Sequence, residues 1–468
     1  MVPFFPKQIA YRAVITYVIA LAVVSLFFSD YSMKVGYMAL GLVSVIVFFF
    51  LTNYWSKQRT LFSKRFFIRD LCIVAFVIRL VWVIASYFYY IKATGIPFEF
   101  DTADALGYHE EAKWLSEEGW KMVREYYFGP NSSGVSDVGY PLYLTVLYRI
   151  FGPVIIIPRI FKAFLSAYTC FLIYKLTTRT FGEDVGRMAA MMTALMPNLI
   201  IYCGYHLKET EMVFLEVAFL ERMDYLIRSR KVTILSVLLP TLLALSLFFF
   251  RTVLGAAAVF AFATVLLLSN TETMKKGWKR TALIAYAILG IAVVGGGTIM
   301  TEIEGLWEER DTNAREKRLE QTSRGNQWAQ YATSAVMAPM AFVLPFSTMV
   351  DIDEQYTQQT KHGGNFVRNF MAFFAFLAIY EAIRRKQWRD YVLIGSFVFA
   401  YLGVVSLSGF SNSERFLLPG LPGLIMIWAY GVSNLSAKSF KFLTPWCFLV
   451  FAMEFAWAFF KLGSRGIL

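Results

Sequence analysis

Charged residues are scarce in this 468-residue chain. Asp, Glu, Lys and Arg make up 17% of it, whereas soluble domains average about 25%. Apolar residues make up 57%, the mean hydropathy is +0.52, and phenylalanine alone occurs 45 times. This composition excludes a water-soluble globular protein, and the dominance of apolar residues also excludes an intrinsically disordered chain. What remains is a protein whose solvent is largely lipid.

Cysteine and histidine are also rare, with four and three copies. No two cysteines form a CxxC pair, which argues against a disulfide framework or a zinc site and favours buried apolar thiols. The net charge of +12 comes from Lys and Arg in short segments between apolar runs, where such residues orient membrane helices. We therefore expect the protein to associate with a lipid bilayer and not to bind nucleic acid.

Apolar runs of about 17–22 residues recur along the chain, and a helix of that length crosses a hydrocarbon core about 30 Å thick. The runs lack the alternation that is typical of a transmembrane barrel. The sequence therefore predicts an all-α polytopic membrane protein with about 13 transmembrane helices. The predicted spans are 10–28, 33–52, 71–91, 160–177, 188–205, 212–227, 233–250, 253–269, 281–299, 366–384, 391–408, 415–433 and 443–460.

Clusters of Lys and Arg orient these spans, because positive loops stay in the cytoplasm. Four clusters fall on one side, together with the N-terminus: 57–69, 228–231, 275–280 and 384–389. Two long segments, 92–139 and 301–365, then lie on the outer face. The stretch 139–157 fits this alternation only as a short helix that dips into the outer leaflet. We expect a single membrane domain over residues 1–468, with its chemistry at the outer face.

The first outer segment is predicted to carry an amphipathic helix that lies on the membrane surface. Tyr108 and Tyr126 belong to its apolar stripe, and Asp101 and Asp104 lie at its start. One interpretation is structural, because carboxylates there stabilise the helix dipole. The other is functional: a carboxylate held partly desolvated at the lipid–water boundary is suited to act as a general base.

A second ionisable group, Lys208 and Glu209, lies at the outer end of a predicted span, level with Asp104. Ionisable side chains at membrane depth are costly and are therefore functional candidates. For Glu221 and Asp224, near the cytoplasmic end of the following span and beside Arg222, surface salt bridges are the favoured explanation.

Arg251 and Arg415 also fall on the outer side. Either their side chains extend to the interface as isolated cations, or they converge near Lys208 and bind a phosphate or diphosphate, which Arg contacts in bidentate fashion. His362 lies in the second outer segment, where a structural role is the common one for a lone histidine and substrate contact is the alternative.

The order of these residues resembles that of the GT-C fold glycosyltransferases, in the branch of bacterial aminoarabinose transferases and protein O-mannosyltransferases. Asp104-x-x-x-Tyr108 resembles the family's Asp-Glu-x-x-Tyr segment, and 139–152 is similar to its short helix that ends in Phe-Gly. Residues 197–209 resemble the stretch that leads to its second outer acid, and 415–422 its late aromatic-x-Leu-Pro signature.

Two departures from the family pattern leave the donor and the acceptor open. Ala105 stands where the aminoarabinose branch has Glu, and Asp137 stands where it has a phosphate-contacting Lys.

The lack of long soluble inserts and of a cleavable presequence favours a bacterial inner membrane. The resemblance implies an inverting hexosyl or pentosyl transferase. It would use a polyprenyl-phosphate-linked sugar donor and a lipid, glycan or protein acceptor at the periplasmic face. Asp104 is then the catalytic base, Glu209 and Asp101 are further acidic site residues, and Arg251 and Arg415 contact the lipid phosphate. The remaining candidate substrate-binding residues are Tyr108, His109, Lys208 and His362.

Cofactor dependence stays open in one respect. A metal is not chemically obligatory, because the leaving group is already a phosphate monoester. Asp101, Asp104 and Glu209 offer oxygen ligands of the kind that Mg²⁺ or Mn²⁺ prefers.

Two other functions use the same features. A polymerase or ligase of diphosphate-lipid-linked glycans needs the same carboxylates and arginines with a larger acceptor groove. A lipid-linked sugar flippase or transporter is favoured by inverted repeats and helices broken at the midplane, neither of which the sequence displays.

Overall fold

The computed structural model describes residues 3–59, 62–100, 102–129, 137–229, 233–268, 343, 346–352, 355–407 and 414–463. Asp101, the predicted span 281–299 and most of the second outer segment lie outside these residues. Within them every regular element is a helix, and an isolated β-bridge joins Ser32 to Val350.

The first half of the described chain forms ten helices in this order: α1 (Lys7–Phe27), α2 (Val35–Arg59, with a π-helical turn at Val47–Leu51), α3 (Lys64–Thr94), α4 (Ala103–Glu117), α5 (Trp120–Phe128), α6 (Gly139–Phe151), α7 (Ile156–Phe181), α8 (Glu183–Leu195), α9 (Pro197–Ile201) and α10 (Glu209–Arg228). The described helices that follow are α11 (Ile234–Phe250), α12 (Thr252–Leu268), α13 (Tyr356–Arg384), α14 (Val392–Leu407), α15 (Glu414–Leu417), α16 (Leu421–Ser433), α17 (Ala437–Phe440) and α18 (Leu443–Gly463).

Eight described helical segments are long and apolar enough to cross a membrane, and a ninth forms if the bent pair α8 and α9, which meet at 53°, counts as one span. This confirms the prediction of an all-α, multi-pass integral membrane protein. Each predicted span within the described residues lies on a helix. Because α11 and α12 have only 17 residues each and α10 carries several charges, the number of about 13 spans stays a prediction.

Glycine and proline set several of the helix ends. Gly95, Gly152 and Gly182 follow α3, α6 and α7 with φ values of 81°, 79° and 99°, a backbone conformation that side-chain-bearing residues rarely adopt. Pro197 occupies the first position of α9, where its missing N–H is not needed. These residues turn the chain between spans and define where the polar ends of the helices meet.

The first outer segment forms two helices where the sequence predicted one. The backbone is extended at Gly119, between α4 and α5, so the helical phase starts again there. Ala112 on α4 and Val123 and Tyr127 on α5 are buried, while Tyr126, from the predicted stripe, is 45% exposed.

Polar contacts hold the segments rich in Lys and Arg at one end of the protein. Arg187 Nη1 donates to the carbonyl of Arg59 at 2.7 Å, and the Phe181 and Tyr391 rings pack with centroids 4.5 Å apart. Arg59, the segment 181–187 and Tyr391 thus lie close together, so described parts of three basic segments meet at one end of the helices.

The acidic residues near this end form the predicted salt bridges. Glu221 pairs with Lys175 at 2.9 Å, with Arg179 at 2.9 Å and with Arg222 at 2.8 Å. Asp224 pairs with Arg179 at 2.8 Å and with Arg228 at 2.7 Å. The predicted partners are present, but these are not surface salt bridges, because the Glu221 and Asp224 side chains are 0% and 6% exposed.

Candidate functional site

Three residues that are far apart in the sequence meet at the opposite end of the helices. Arg415, in the first turn of α15, donates through Nη1 to Asp104 Oδ2 and through Nε to Glu209 Oε1. Asp104 lies in the first turn of α4, and Glu209 is the first residue of α10. The two carboxylates differ in burial, since the Asp104 side chain is 56% exposed and that of Glu209 is 0% exposed. One guanidinium thus joins an accessible carboxylate to a buried one.

Lys208 adds a second cation beside this group. Its ammonium donates to Asp137 Oδ1 and lies 5.9 Å from the centroid of the Tyr108 ring. Burial lowers the pKa of Lys208, and the charge of Asp137 acts in the opposite direction. Burial also raises the pKa of Tyr108, which therefore stays a neutral phenol. Lys208 is 1% exposed whereas Asp137 is 55% exposed.

Arg251 adds a third cation from the turn between α11 and α12. Its guanidinium stacks 4.5 Å from the centroid of Phe416, the residue that follows Arg415. Arg251 Nη1 is buried and has no hydrogen-bond partner among the described residues. The positive charge of Arg251 also contributes to the lowered pKa of Lys208. The structure thus brings Arg251, Arg415 and Lys208 together.

His109 belongs to a neighbouring hydrogen-bonded group. Its Nδ1 lies 2.8 Å from the Tyr148 hydroxyl, which lies 3.2 Å from His206 Nε2. Burial lowers the pKa of both histidines, and nearby Lys162 adds to this effect at His206. Both rings are therefore neutral near pH 7, and Tyr148 joins them.

His362 does not join the cluster. It is fully buried in α13, where Nε2 lies 2.6 Å from the Tyr17 hydroxyl and Nδ1 lies 2.6 Å from the carbonyl of Gln359. A Cβ at Gly41 would overlap its ring, so His362 fills the space between α1, α2 and α13. Among the described residues, these contacts are those of a structural histidine, and substrate contact by His362 stays a prediction.

The residues proposed for a divalent cation do not fit one as they are arranged. Asp104 and Glu209 both accept from Arg415, so a cation between them would meet a positive charge at close range. Within the described part of the chain, no three His, Cys, Asp or Glu side chains are grouped as metal ligands. Asp101, the third predicted ligand, lies outside that part.

A buried ion pair behind Arg415 was missed at the sequence level. Glu414 Oε2 lies 2.9 Å from the Lys361 ammonium and accepts from the Tyr202 hydroxyl at 3.1 Å. Its Oε1 accepts from Asn198 Nδ2 at 2.5 Å, and Asn198 also donates to Asn365 at 2.9 Å. Charged residues at the ends of apolar runs were the available signal, but their pairing depends on the packing of α9 and α13.

A second missed layer lies next to the histidines. Arg159 is 3.6 Å from Glu99, and Lys162 is 3.7 Å from Glu211. All four side chains are at most 4% exposed, and His206 donates its backbone N–H to Glu99 at 3.2 Å. Buried ion pairs of this kind stabilise little by themselves, whereas removal of one partner is strongly destabilising.

Fold and site together define an integral membrane protein of many helices, with an ionic cluster at one end of them. No known family model matches the chain, and no curated protein matches it in sequence.

Solved structures that share part of this architecture include an oligosaccharyltransferase of the archaeon Archaeoglobus fulgidus. AglB in complex with an inhibitory peptide and a dolichol-phosphate has a TM-score of 0.46 and 12% identity, over 86% of this chain and 56% of that one. The oligosaccharyltransferase of that organism in complex with zinc and sulfate has a TM-score of 0.44 and 12% identity, over 84% of this chain and 52% of the other. The chain therefore spans about half the length of the structures that it matches.

Proposed function

We propose that this protein is a membrane glycosyltransferase that moves a sugar from a polyprenyl-phosphate donor to an acceptor at the outer face of the membrane. One observation carries the proposal: three cations, Lys208, Arg251 and Arg415, lie in one cluster, and Arg415 pairs with the accessible carboxylate of Asp104. Guanidinium and ammonium groups recognise phosphate, and a partly exposed carboxylate beside them is placed to accept a proton.

The cations act on the leaving group. As the bond between the anomeric carbon and the phosphate oxygen breaks, that oxygen takes the bonding electrons and its negative charge grows. Arg251 and Arg415 stabilise this charge, and donors aligned in advance are worth about 10²–10³ in kcat. Arg251 Nη1 is buried and makes no hydrogen bond to the described residues, so the proposal requires that the bound phosphate reach it. The departing group is polyprenyl phosphate.

Asp104 acts on the acceptor. It takes the proton from an acceptor hydroxyl or amine while the acceptor atom forms its bond to the anomeric carbon, and this direct displacement inverts that centre. Glu209 is a less suitable base, because its side chain is fully buried and bonded to Arg415. In the proposal, Glu209 holds the Arg415 guanidinium in place. Asp104 meanwhile gives up its contact with Arg415 and contacts the acceptor instead.

The finer assignments belong to the same proposal. The order of the site residues favours the branch of aminoarabinose transferases and protein O-mannosyltransferases. The distribution of Lys and Arg supports a site on the side of the membrane opposite the basic loops, and the proposal places that site at the periplasmic face of a bacterial inner membrane. No step is assigned to a metal, because Arg415 occupies the position between the two carboxylates.

Transfer in proteoliposomes tests the proposal. Radiolabelled polyprenyl-phosphate sugars are supplied with a membrane extract as acceptor, to wild type, Asp104→Asn and Asp184→Asn. Asp184 is an exposed carboxylate in the first turn of α8, near the opposite end, and serves as the matched control. Transfer that survives in Asp184→Asn and is lost in Asp104→Asn supports the base.

Two other results would contradict parts of the proposal. Full transfer by Asp104→Asn would remove Asp104 from the chemistry. No transfer from any monosaccharide donor by folded wild type, with polymerisation of diphosphate-linked glycans instead, would replace the transferase by the polymerase.

A further inference from the structure

A cleft opens between α2 and α3 at the same end of the protein as the ionic cluster. It has a volume of about 710 Å³, and its walls include Tyr37, Trp82, Ser86 and Tyr89, with Tyr356 from the start of α13. It forms because the two helices pack on different neighbours: α2 contacts α1 and α13, whereas α3 contacts α7 and α8. None of the residues of the ionic cluster lines this cleft.

The cleft faces lipid and is about one leaflet deep. In both α2 and α3, only 28% of the apolar stretch is buried inside the protein. Both helices therefore lie at the periphery of the protein. On α3 the cleft runs from Trp82 to Ala93, which at 1.5 Å per residue is about 16 Å. Half of a hydrocarbon core of about 30 Å is about 15 Å. A single acyl chain of one leaflet therefore matches the depth of the cleft.

One positive charge stands at the mouth of the cleft. Lys34 precedes α2, lines the cleft, and places its ammonium 4.7 Å from the centroid of Tyr356. No carboxylate pairs with it among the described residues. The Tyr37 and Tyr89 hydroxyls, 3.4 Å apart, are further polar groups on the walls. This end of the cleft is therefore complementary to a phosphate.

We propose that the cleft binds an anionic glycerophospholipid of the outer leaflet, with its phosphate at Lys34 and one acyl chain between α2 and α3. A long polyprenyl chain fits less well, because the cleft ends after one leaflet. The site is independent of the proposed transferase function.

Photo-crosslinking tests the proposal with the full chain in nanodiscs. Phosphatidylglycerol or phosphatidylcholine with a photoreactive acyl chain is incorporated, and labelled peptides are mapped by mass spectrometry. We expect labelling at the facing surfaces of α2 and α3. Labelling by phosphatidylglycerol should exceed that by phosphatidylcholine about fivefold, because this is the effect of one lysine near an anionic lipid surface. Lys34→Gln should abolish the preference, whereas Lys34→Arg should keep it.

A pair of tryptophan variants separates the cleft from the general lipid surface. Ala85 lines the cleft, while the neighbouring Ile84 is 43% exposed and does not line it. Ala85→Trp should reduce labelling at the cleft several-fold for both lipids, and Ile84→Trp should leave it unchanged. Monodisperse particles with unaltered far-ultraviolet circular dichroism verify that each variant is folded.

Three outcomes would overturn the proposal. Equal labelling by the two lipids would remove the role of Lys34, and unchanged labelling in Ala85→Trp would remove the cleft. Displacement of phosphatidylglycerol by a small excess of polyprenyl phosphate would assign the cleft to that lipid instead.

Discussion

Removing the Arg415 guanidinium separates the energetic roles of its two carboxylate partners. The Asp104 side chain is 56% exposed and that of Glu209 is 0% exposed. An exposed ion pair contributes about 0.2–1 kcal/mol, whereas removing the partner of a buried charge costs about 3–5 kcal/mol. We therefore expect Arg415→Ala to lower the free energy of unfolding by about 3–5 kcal/mol, mostly through Glu209.

A double-mutant cycle measures this asymmetry. The variants are Arg415→Ala, Glu209→Gln, Asp104→Asn and the two pairs that contain Arg415→Ala. Their unfolding by urea in detergent micelles is followed by the fluorescence of the 11 tryptophans. We expect a coupling energy of about 3 kcal/mol between Arg415 and Glu209, and of less than about 1 kcal/mol between Arg415 and Asp104.

The neutral amide of Glu209→Gln makes the cycle informative. It keeps the shape of the side chain but removes the buried charge, so Arg415→Ala in that background should cost little. An equal or larger coupling to Asp104 would refute the reasoning, because it would mean that burial does not decide the strength of the two ion pairs.

Three further predictions concern the surroundings of the cluster. Glu414→Gln removes the buried anion next to Arg415, and should lower kcat of transfer more than it raises KM if Glu414 positions the guanidinium. Gly364→Ala should destabilise the protein by about 1–3 kcal/mol, measured by the same urea unfolding, because its Cβ would overlap Asn198 Oδ1. Asp137→Asn removes the charge that raises the pKa of Lys208. Lys208 then loses its proton at a lower pH, so the alkaline decline of donor affinity should move to lower pH in a pH series of KM.

The architecture of the described chain was predictable because lipid imposes a simple rule. A helix satisfies its own backbone groups, so long apolar runs can be assigned to helices without knowledge of their neighbours. The salt bridges of Glu221 and Asp224 were predictable for a similar reason, since the basic residues are close in sequence or lie on the adjoining helix. The break at Gly119 was not, because a glycine alone does not specify whether a surface helix continues.

The contacts within the site were only partly predictable. Glu209 and Arg415 stood out because each is an ionisable residue at the end of a predicted span, and Asp104 because it lies at the start of a predicted surface helix. The pairing of Lys208 with Asp137 and of Glu414 with Lys361 could not be predicted in this way. Asp137 and Lys361 reach their partners through tertiary packing and lie in segments with no distinctive pattern. His362 was singled out for its rarity, and rarity in composition does not indicate location.

The burial of the charges suggests how a phosphate could enter the cluster. An unpaired cation at the depth of Lys208 would be costly, and in the resting protein Asp137 provides its counter-charge. Asp104 does the same for Arg415 on the accessible side. Both carboxylates are more than half exposed, so either can turn toward water when a phosphate takes its place, while the buried Glu209 keeps Arg415 in position. Donor affinity would then depend on how much more strongly Lys208 and Arg415 pair with the phosphate than with Asp137 and Asp104. Because the carboxylates can return when the phosphate leaves, the exchange allows both binding and release.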